Sequence, residues 1–316
     1  MIRILNAESL EYSPDALAIL QEIAIVDSFS DLTPADLYTL IPNYDVLITR
    51  LAFQIDARLM DHAVRLHTIV TATTGLNHID LAYAQHKQIK VLSLKGEIEF
   101  LRTIPSTAEH TWALLLSLVR HIPHAYQSVL DNQWDRDRFR GNQLLGKPLG
   151  ILGFGRIGEK VARYALAFGM KVYAYDPNPV ETSLTEIFWC RSMEELLHQS
   201  EVLSIHVPFD STTHHLLSIH ELMQLPRHAF IINTARGGIL NEKDVVDALE
   251  SGHLRGLAVD VLEDEYQLNH SPLLQYARNH ANVIITPHIG GATLEAMAMT
   301  EVFMANKLVR YLKEKR

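Results

Sequence analysis

Leu149-Gly150-Ile151-Leu152-Gly153-Phe154-Gly155-Arg156-Ile157-Gly158, with Asp176 closing the later run Val172-Tyr173-Ala174-Tyr175, is the stretch that decides how this chain folds. A short apolar strand leads into Gly153, Gly155 and Gly158, which form G-x-G-x-x-G, and a helical run follows. The acidic residue ends the next strand at about the 20-residue spacing of a dinucleotide site. Each glycine has its own task in such a loop. Gly153 permits the tight turn, Gly155 lets backbone approach a pyrophosphate, and Gly158 lets the helix sit close on the strand. The pyrophosphate would rest on the free N–H groups at the helix start, beside Arg156 and Ile157. Asp176 would accept from the ribose hydroxyls, and Pro177-Asn178 supplies no arginine for a 2′-phosphate, so NAD is expected rather than NADP.

Working outward, strand-like runs recur at 172–175, 202–206, 230–233, 256–259 and 283–286, with helical patterns between them. Six strands including the first is the count of a doubly wound parallel sheet. Upstream, short strands at 1–5, 46–49, 68–71 and 90–92 alternate with helical patterns at 15–23, 60–64 and 81–86, a second and smaller βα repeat. A long amphipathic helix is predicted over 106–121, opening at Ser106 or Thr107 as N-cap with Glu109 in its first turn. A polar loop is predicted over 131–142. Another amphipathic helix is expected over 294–315; it lies beyond the last strand of the large sheet and suits the first domain as partner. The expected architecture is therefore α/β with two domains.

The 316 residues exceed the roughly 250–300 at which single cores stop growing, which agrees with two domains. A hydrophobic fraction of 47% with 21% charged residues is that of a globular chain. The net charge of −9 offers no footprint for nucleic acid or an anionic membrane, so an anionic substrate would need a few local cations. With no signal-peptide pattern and no apolar run of ~20 residues, a cytoplasmic protein without membrane contact is expected. Cys190 is the only cysteine and excludes an internal disulfide. None of the histidines has H-E-x-x-H spacing, and His214-His215 fall on a loop, so no metal site is expected.

Three further elements end predicted strands. Arg236 in Asn233-Thr234-Ala235-Arg236-Gly237-Gly238 could grip a planar carboxylate bidentately. The acids Asp260, Glu263, Asp264 and Glu265 follow the next strand, and spacing alone does not choose among them. His288 in Thr286-Pro287-His288-Ile289-Gly290-Gly291 follows another. A cation, an acid and an imidazole beside a nicotinamide are the parts needed to reduce a 2-oxo acid.

Together with Thr74-Gly75-Leu76-Asn77-His78-Ile79-Asp80, Ser106-Thr107-Ala108-Glu109-His110-Thr111-Trp112 and Ser204-Ile205-His206-Val207-Pro208, these motifs make the chain resemble the D-isomer-specific 2-hydroxyacid dehydrogenases over nearly its whole length. The resemblance implies a Rossmann domain for NAD over 98–290 and a flavodoxin-like substrate domain from 1–97 and 291–316. It makes Arg236, Glu265 and His288 the catalytic group. Glu265 is chosen among the acids because the family's glutamate lies five residues after the strand-ending aspartate, here Asp260. His288 would be the acid in reduction and the base in oxidation. Glu265 would favour its imidazolium, and Arg236 would hold the carboxylate and polarise the carbonyl. His206, Pro208 and Thr213 would flank the adenosine, while Thr234, Asp260 and the backbone of Gly290 and Gly291 would sit near the nicotinamide. The backbone of Thr74, Gly75 and Leu76 would complete carboxylate binding. A homodimer is expected, and Tyr266 departs from the proline that many relatives place after the glutamate.

Within the family, the branch that acts on 3-phosphoglycerate in serine biosynthesis is the nearest likeness. Ile48-Thr49-Arg50 and the Trp134-to-Phe139 segment, with Arg136, are similar to its phosphate-holding arginines. Leu51 and Leu94-Lys95-Gly96 depart from that branch's pattern, and Lys95 is either a compensating charge or a solvated loop residue. No regulatory extension is expected. The alternatives are a glyoxylate or hydroxypyruvate reductase, which needs no phosphate site, and an NAD-sensing corepressor-like binding protein.

Overall fold

The structure, a computed structural model, describes residues 1–179 and 181–315. Two compact units divide the chain, one of residues 1–104 with 293–316 and one of residues 105–292. Arg316, the last residue of the expected substrate domain, lies outside the described residues, as does Val180. The division after Ile104 keeps Leu101 and Ile104 in the core of the first unit.

The first unit is a parallel sheet of β1 (Ile2–Asn6), β2 (Ala24–Ser28), β3 (Val46–Thr49), β4 (Thr68–Thr71) and β5 (Lys90–Leu92), ordered β2-β1-β3-β4-β5. That is the flavodoxin-like order. β3 and β4 are buried at every position, as befits central strands covered on both faces. The pleat sends Ile4, Val46, Ile48 and Val70 to one layer, where Met304 and Leu308 of the Leu294–Glu314 helix meet them. Leu5, Leu47 and Ile69 go to the other, with Leu37 and Leu59. Each such burial is worth roughly 1.5–3 kcal/mol, which explains why the last helix returns to this unit.

The second unit is a parallel sheet of β6 (Pro148–Leu152), β7 (Lys171–Tyr175), β8 (Ile187–Trp189), β9 (Val202–Ile205), β10 (Ala229–Asn233), β11 (Leu254–Val259) and β12 (Val283–Ile285). Its order, β12-β11-β10-β9-β6-β7-β8, is doubly wound and reverses at the β6/β9 pair. One face packs Leu149, Ile151 and Ile232 under Leu115 and Trp112 of the Ser106–Val119 helix. The other buries Leu203, Ile205, Ile231 and Leu257.

Among the described residues this sheet has seven strands rather than the expected six, and the first has five rather than four. The two additions, β2 and β8, are edge strands with outward residues exposed, so neither carries the continuous apolar run that marks a buried strand. The first helix also ends early, at Gln21, because the chain turns into β2. The Ser106–Val119 helix has Pro105 at its N-cap and no side-chain cap. Its first turn bonds to the Pro105 carbonyl instead, through the N–H groups of Ala108 and Glu109, while Ser106 Oγ is buried without a partner. Ile122–Leu130 forms an additional helix before the polar loop. No helix among the described residues is long and apolar enough to cross a membrane.

Candidate active site

The glycine loop after β6 separates three physical roles. Gly153 has φ +91°, and a Cβ there would lie 2.7 Å from the backbone of His206 and Val207. A Cβ on Gly158 would lie 2.4 Å from the Gly153 carbonyl oxygen, so only glycine lets the helix sit this close to the strand. A Cβ on Gly155 would meet nothing within 4 Å. Gly155 is thus held open toward solvent rather than by packing, which fits the approach of a pyrophosphate. The Arg156–Ala167 helix opens at Gly155 without a side-chain cap, leaving its first-turn N–H groups to an anion. Arg156 is half-buried beside them, and burial lowers its pKa. Asp176 accepts from Phe154 N at 2.8 Å and Asn178 N at 2.8 Å, which fixes its carboxylate against the loop. These residues fit a dinucleotide.

Past β11 and β12 the chain is organised around Asp260, which is 2% exposed. Its carboxylate accepts from Thr286 Oγ1 at 2.6 Å, His110 Nε2 at 3.1 Å, Ile289 N at 2.9 Å and Gly290 N at 2.7 Å. Burial by itself would raise its pKa, but the hydrogen bonds from His110, Thr286, Ile289 and Gly290 outweigh burial and hold it below the ordinary carboxylate value. A Cβ on Gly290 would press on Asp260 Oδ2 at 3.0 Å. Asp260 therefore binds the two strand ends together.

This hub presents His288. Its N–H donates to the carbonyls of Asp260 and Thr286, and its φ of 57° is left-handed, a conformation histidine adopts more readily than bulkier residues. From that position Nδ1 donates to Glu265 Oε2 at 2.8 Å. With Nδ1 engaged, Nε2 is the nitrogen left to exchange a proton with a ligand. Arg236 sits past β10, where Asn233 shapes its loop: Asn233 Nδ2 donates to the Arg236 carbonyl at 2.9 Å, and Ala235 N donates to Asn233 Oδ1 at 3.0 Å. The Arg236 side chain donates to the Ala235 carbonyl. Burial lowers its pKa and the charge of Glu265 opposes that shift, so cation and carboxylate feel each other. Arg236, Glu265 and His288 thus share the carboxyl-end face of one sheet.

The remaining residues of this unit named from the sequence also have definite environments. His206 shares a hydrogen bond with Ser204 at 2.8 Å, and burial lowers its pKa to about 3, so the ring is neutral. Thr213 Oγ1 donates to the Pro208 carbonyl and folds that loop back on itself. Thr234 is buried and shares a 2.7 Å hydrogen bond with Thr111. A Cβ on Gly291 would meet nothing within 4 Å. Arg136 is 89% exposed and lies 3.5 Å from Asp137.

In the first unit the substrate candidates are differently placed. Among the described residues, the N–H groups of Thr74, Gly75 and Leu76 donate to no protein acceptor; Thr73 Oγ1 donates to the Gly75 carbonyl and shapes the turn. Arg50 is not a free cation. Its guanidinium is ion-paired with Glu301, which is 2% exposed, donates to the Leu10 carbonyl, and lies over the Tyr12 ring. Glu301 also accepts from Ser13 N at 2.6 Å. Burial raises the Tyr12 phenol, and the Glu301 charge raises it further. Glu8 takes the backbone: it accepts from Thr49 Oγ1 and from the N–H groups of Arg50, Leu51 and Ala52. Lys95 is exposed.

Asn233, His110, Glu8 and Glu301 are among the residues in these contacts that motif and spacing do not single out. His110 lay inside a family-like segment, and Asn233 inside the Arg236 motif. Glu8 and Glu301 carried no local signal, since each meets its partners across a large sequence separation.

The family described as "D-isomer specific 2-hydroxyacid dehydrogenase, NAD binding domain" matches residues 112–290. Hydroxypyruvate reductase of Thermotoga maritima is 35% identical over 277 residues, covering 88% of each chain. D-3-phosphoglycerate dehydrogenase of Methanocaldococcus jannaschii is 34% identical over 315 residues, 99% of this chain but 58% of that one. This chain therefore spans little more than half the length of such relatives. Among solved structures, D-lactate dehydrogenase from Aquifex aeolicus, complexed with NAD and lactic acid, superposes with a TM-score of 0.82 at 28% identity, covering 98% of this chain and 96% of that one. The chain belongs to the D-isomer specific 2-hydroxyacid dehydrogenases, NAD-dependent oxidoreductases that act on CH–OH groups.

Proposed function

We propose that this protein interconverts a small, unphosphorylated D-2-hydroxy acid and its 2-oxo acid, with hydroxypyruvate or glyoxylate as the oxo acid reduced. The observation that carries the chemistry is the 2.8 Å Glu265–His288 hydrogen bond beside a half-buried Arg236. When bound, NADH supplies two electrons as hydride to carbon 2 of the oxo acid. His288 gives the carbonyl oxygen a proton from Nε2, and Glu265, hydrogen-bonded at Nδ1, keeps the ring oriented for that transfer. Arg236 pairs with the carboxylate and polarises the carbonyl. The free amides at Thr74, Gly75 and Leu76 support carboxylate binding by this turn. Asp176 supports NAD over NADP, because a 2′-phosphate would meet a fixed negative charge. Residues 1–104 with 293–316 would serve as the substrate domain.

The preference for an unphosphorylated acid rests on Arg50. A phosphate would have to win the guanidinium from the buried Glu301 carboxylate, and the adjoining backbone amides from Glu8. The second reading, 3-phosphoglycerate and 3-phosphohydroxypyruvate in serine biosynthesis, is supported by the arginines at 50 and 136 and by the similarity to relatives of that name. A homodimer in the cytoplasm completes the proposal; the apolar residues Ile122, Tyr126 and Val129 that the Ile122–Leu130 helix exposes support self-association. The Arg50→Ala variant separates the readings. Reduction of hydroxypyruvate and glyoxylate should be nearly unchanged per folded molecule, whereas a large rise in KM confined to 3-phosphohydroxypyruvate would favour the phosphate reading.

A further inference from the structure

Among the described residues, one group of three imidazole or carboxylate side chains that could hold a metal ion converges, and it includes none of Arg236, Glu265 and His288: His214, His215 and Glu263, whose ligand atoms lie within 4.8 Å of one another. We propose that these three side chains form a binding site for a divalent transition-metal ion of the zinc type. The site goes beyond the dehydrogenase reading, which needs no metal.

The geometry is close to that of a three-ligand site. His215 Nε2 is 2.7 Å from Glu263 Oε1, and His214 Nε2 is 3.9 Å from the same oxygen. Tetrahedral zinc with bonds of 2.0–2.2 Å spaces its ligand atoms roughly 3.3 Å apart, a value that the two distances to Glu263 bracket, so side-chain shifts of about 1 Å would seat an ion. The two rings are stacked, with centroids 3.9 Å apart, which brings both Nε2 atoms to one carboxylate although the histidines are adjacent in sequence. Adjacent residues ordinarily point apart. Here the left-handed φ of 50° at His215 turns the chain between them.

The backbone behind each ligand is tied down. His214 N donates to the Asp210 carbonyl and His215 N to the Gly238 carbonyl. Glu263 N donates to Glu242, whose buried carboxylate also accepts from Ser271. Such anchoring limits the ordering that an ion would have to impose. Two imidazoles and one carboxylate suit zinc, nickel, cobalt or copper, whereas magnesium and calcium demand oxygen ligands. All three side chains retain solvent exposure, which leaves room for water as a fourth ligand. The ion would tie the loop after β9 to the loop after β11. It would sit two residues from Glu265 and, through the His215–Gly238 hydrogen bond, two residues from Arg236.

The test is calorimetric titration of the full chain, freed of any affinity tag and stripped with EDTA, with zinc chloride in a non-chelating buffer. Nickel chloride serves as the second probe and magnesium chloride as the negative probe. The expected result is one zinc per chain, weakened at least about tenfold in His214→Ala, in His215→Ala and in Glu263→Gln. His220→Ala, which removes an exposed imidazole elsewhere, should bind as the original chain does. Thermal unfolding with and without zinc should show a rise in Tm that the three variants lose. If His215→Ala fails to fold, the other two decide, because neither removes the His215 backbone turn. No zinc uptake by the folded chain, or uptake that all three substitutions leave unchanged, overturns the proposal.

Discussion

The two units each bring charged side chains to the carboxyl ends of a parallel sheet, yet they use them in opposite ways. In the second unit Asp260 absorbs four donors and Glu265 engages only Nδ1 of His288, so the supporting groups are satisfied while Nε2 stays open to a reaction. In the first unit Arg50 is claimed by Glu301 and the adjoining amides by Glu8. A strand-end arginine is thus a candidate ligand only if no carboxylate from elsewhere in the chain reaches it first. The same physics, charge pairing in a partly dry setting, preorganises one site and occupies the other.

The comparison is most sharply strained by His288→Gln. Turnover should fall by about 10²–10⁴-fold with NADH affinity nearly unchanged; a loss of cofactor binding instead would mean that the residue supports the dinucleotide site. Arg50→Ala comes next. It leaves the Glu301 charge buried and unpaired, and chemical denaturation should register a loss of roughly 2–4 kcal/mol. An unaltered midpoint would show that the pair does not hold Arg50. The glycine loop offers an internal control. Gly153→Ala should lower stability by about 1–3 kcal/mol through backbone strain, whereas Gly155→Ala should unfold like the original chain and weaken NADH binding. Equal melting shifts for the two would contradict their separate roles.

A smaller effect concerns acid. His206 is neutral in the folded chain with a pKa of about 3, while the unfolded chain protonates it near 6.5. Below that value the unfolded state binds the extra proton, so stability falls progressively from about pH 6.5 toward 3. The Asp260 carboxyl, held low, adds a loss in the same direction as pH falls below the ordinary carboxylate value, where the unfolded chain takes up a proton that the folded one does not. Comparing His206→Gln with the original chain by thermal unfolding across this range isolates the histidine. The variant should lose less Tm on acidification, and parallel slopes would contradict a neutral ring in the folded chain.

What was legible in the sequence follows the same division. Gly153, Gly155 and Gly158 could be read because their roles are local, and the parallel strands because buried runs such as Val46–Thr49 are continuous. The edge strands β2 and β8 could not, since half their residues face outward and break the pattern. Arg236, Glu265 and His288 were named through motif and resemblance, but the hydrogen bond between the last two depends on the left-handed turn at His288. Occupation of Arg50 by Glu301 is invisible to any spacing rule, because it arises only when the C-terminal helix packs back on the first sheet. Convergence of His214 and His215 on Glu263 is hidden for a similar reason.

The most direct measurement is kcat/KM for NADH-dependent reduction of hydroxypyruvate, glyoxylate and 3-phosphohydroxypyruvate by the same preparation. An Arg50 held by Glu301 predicts that an unphosphorylated acid is preferred by at least about tenfold, roughly 1.4 kcal/mol in transition-state binding. A preference of that size for 3-phosphohydroxypyruvate would contradict the account and return Arg50 to the substrate.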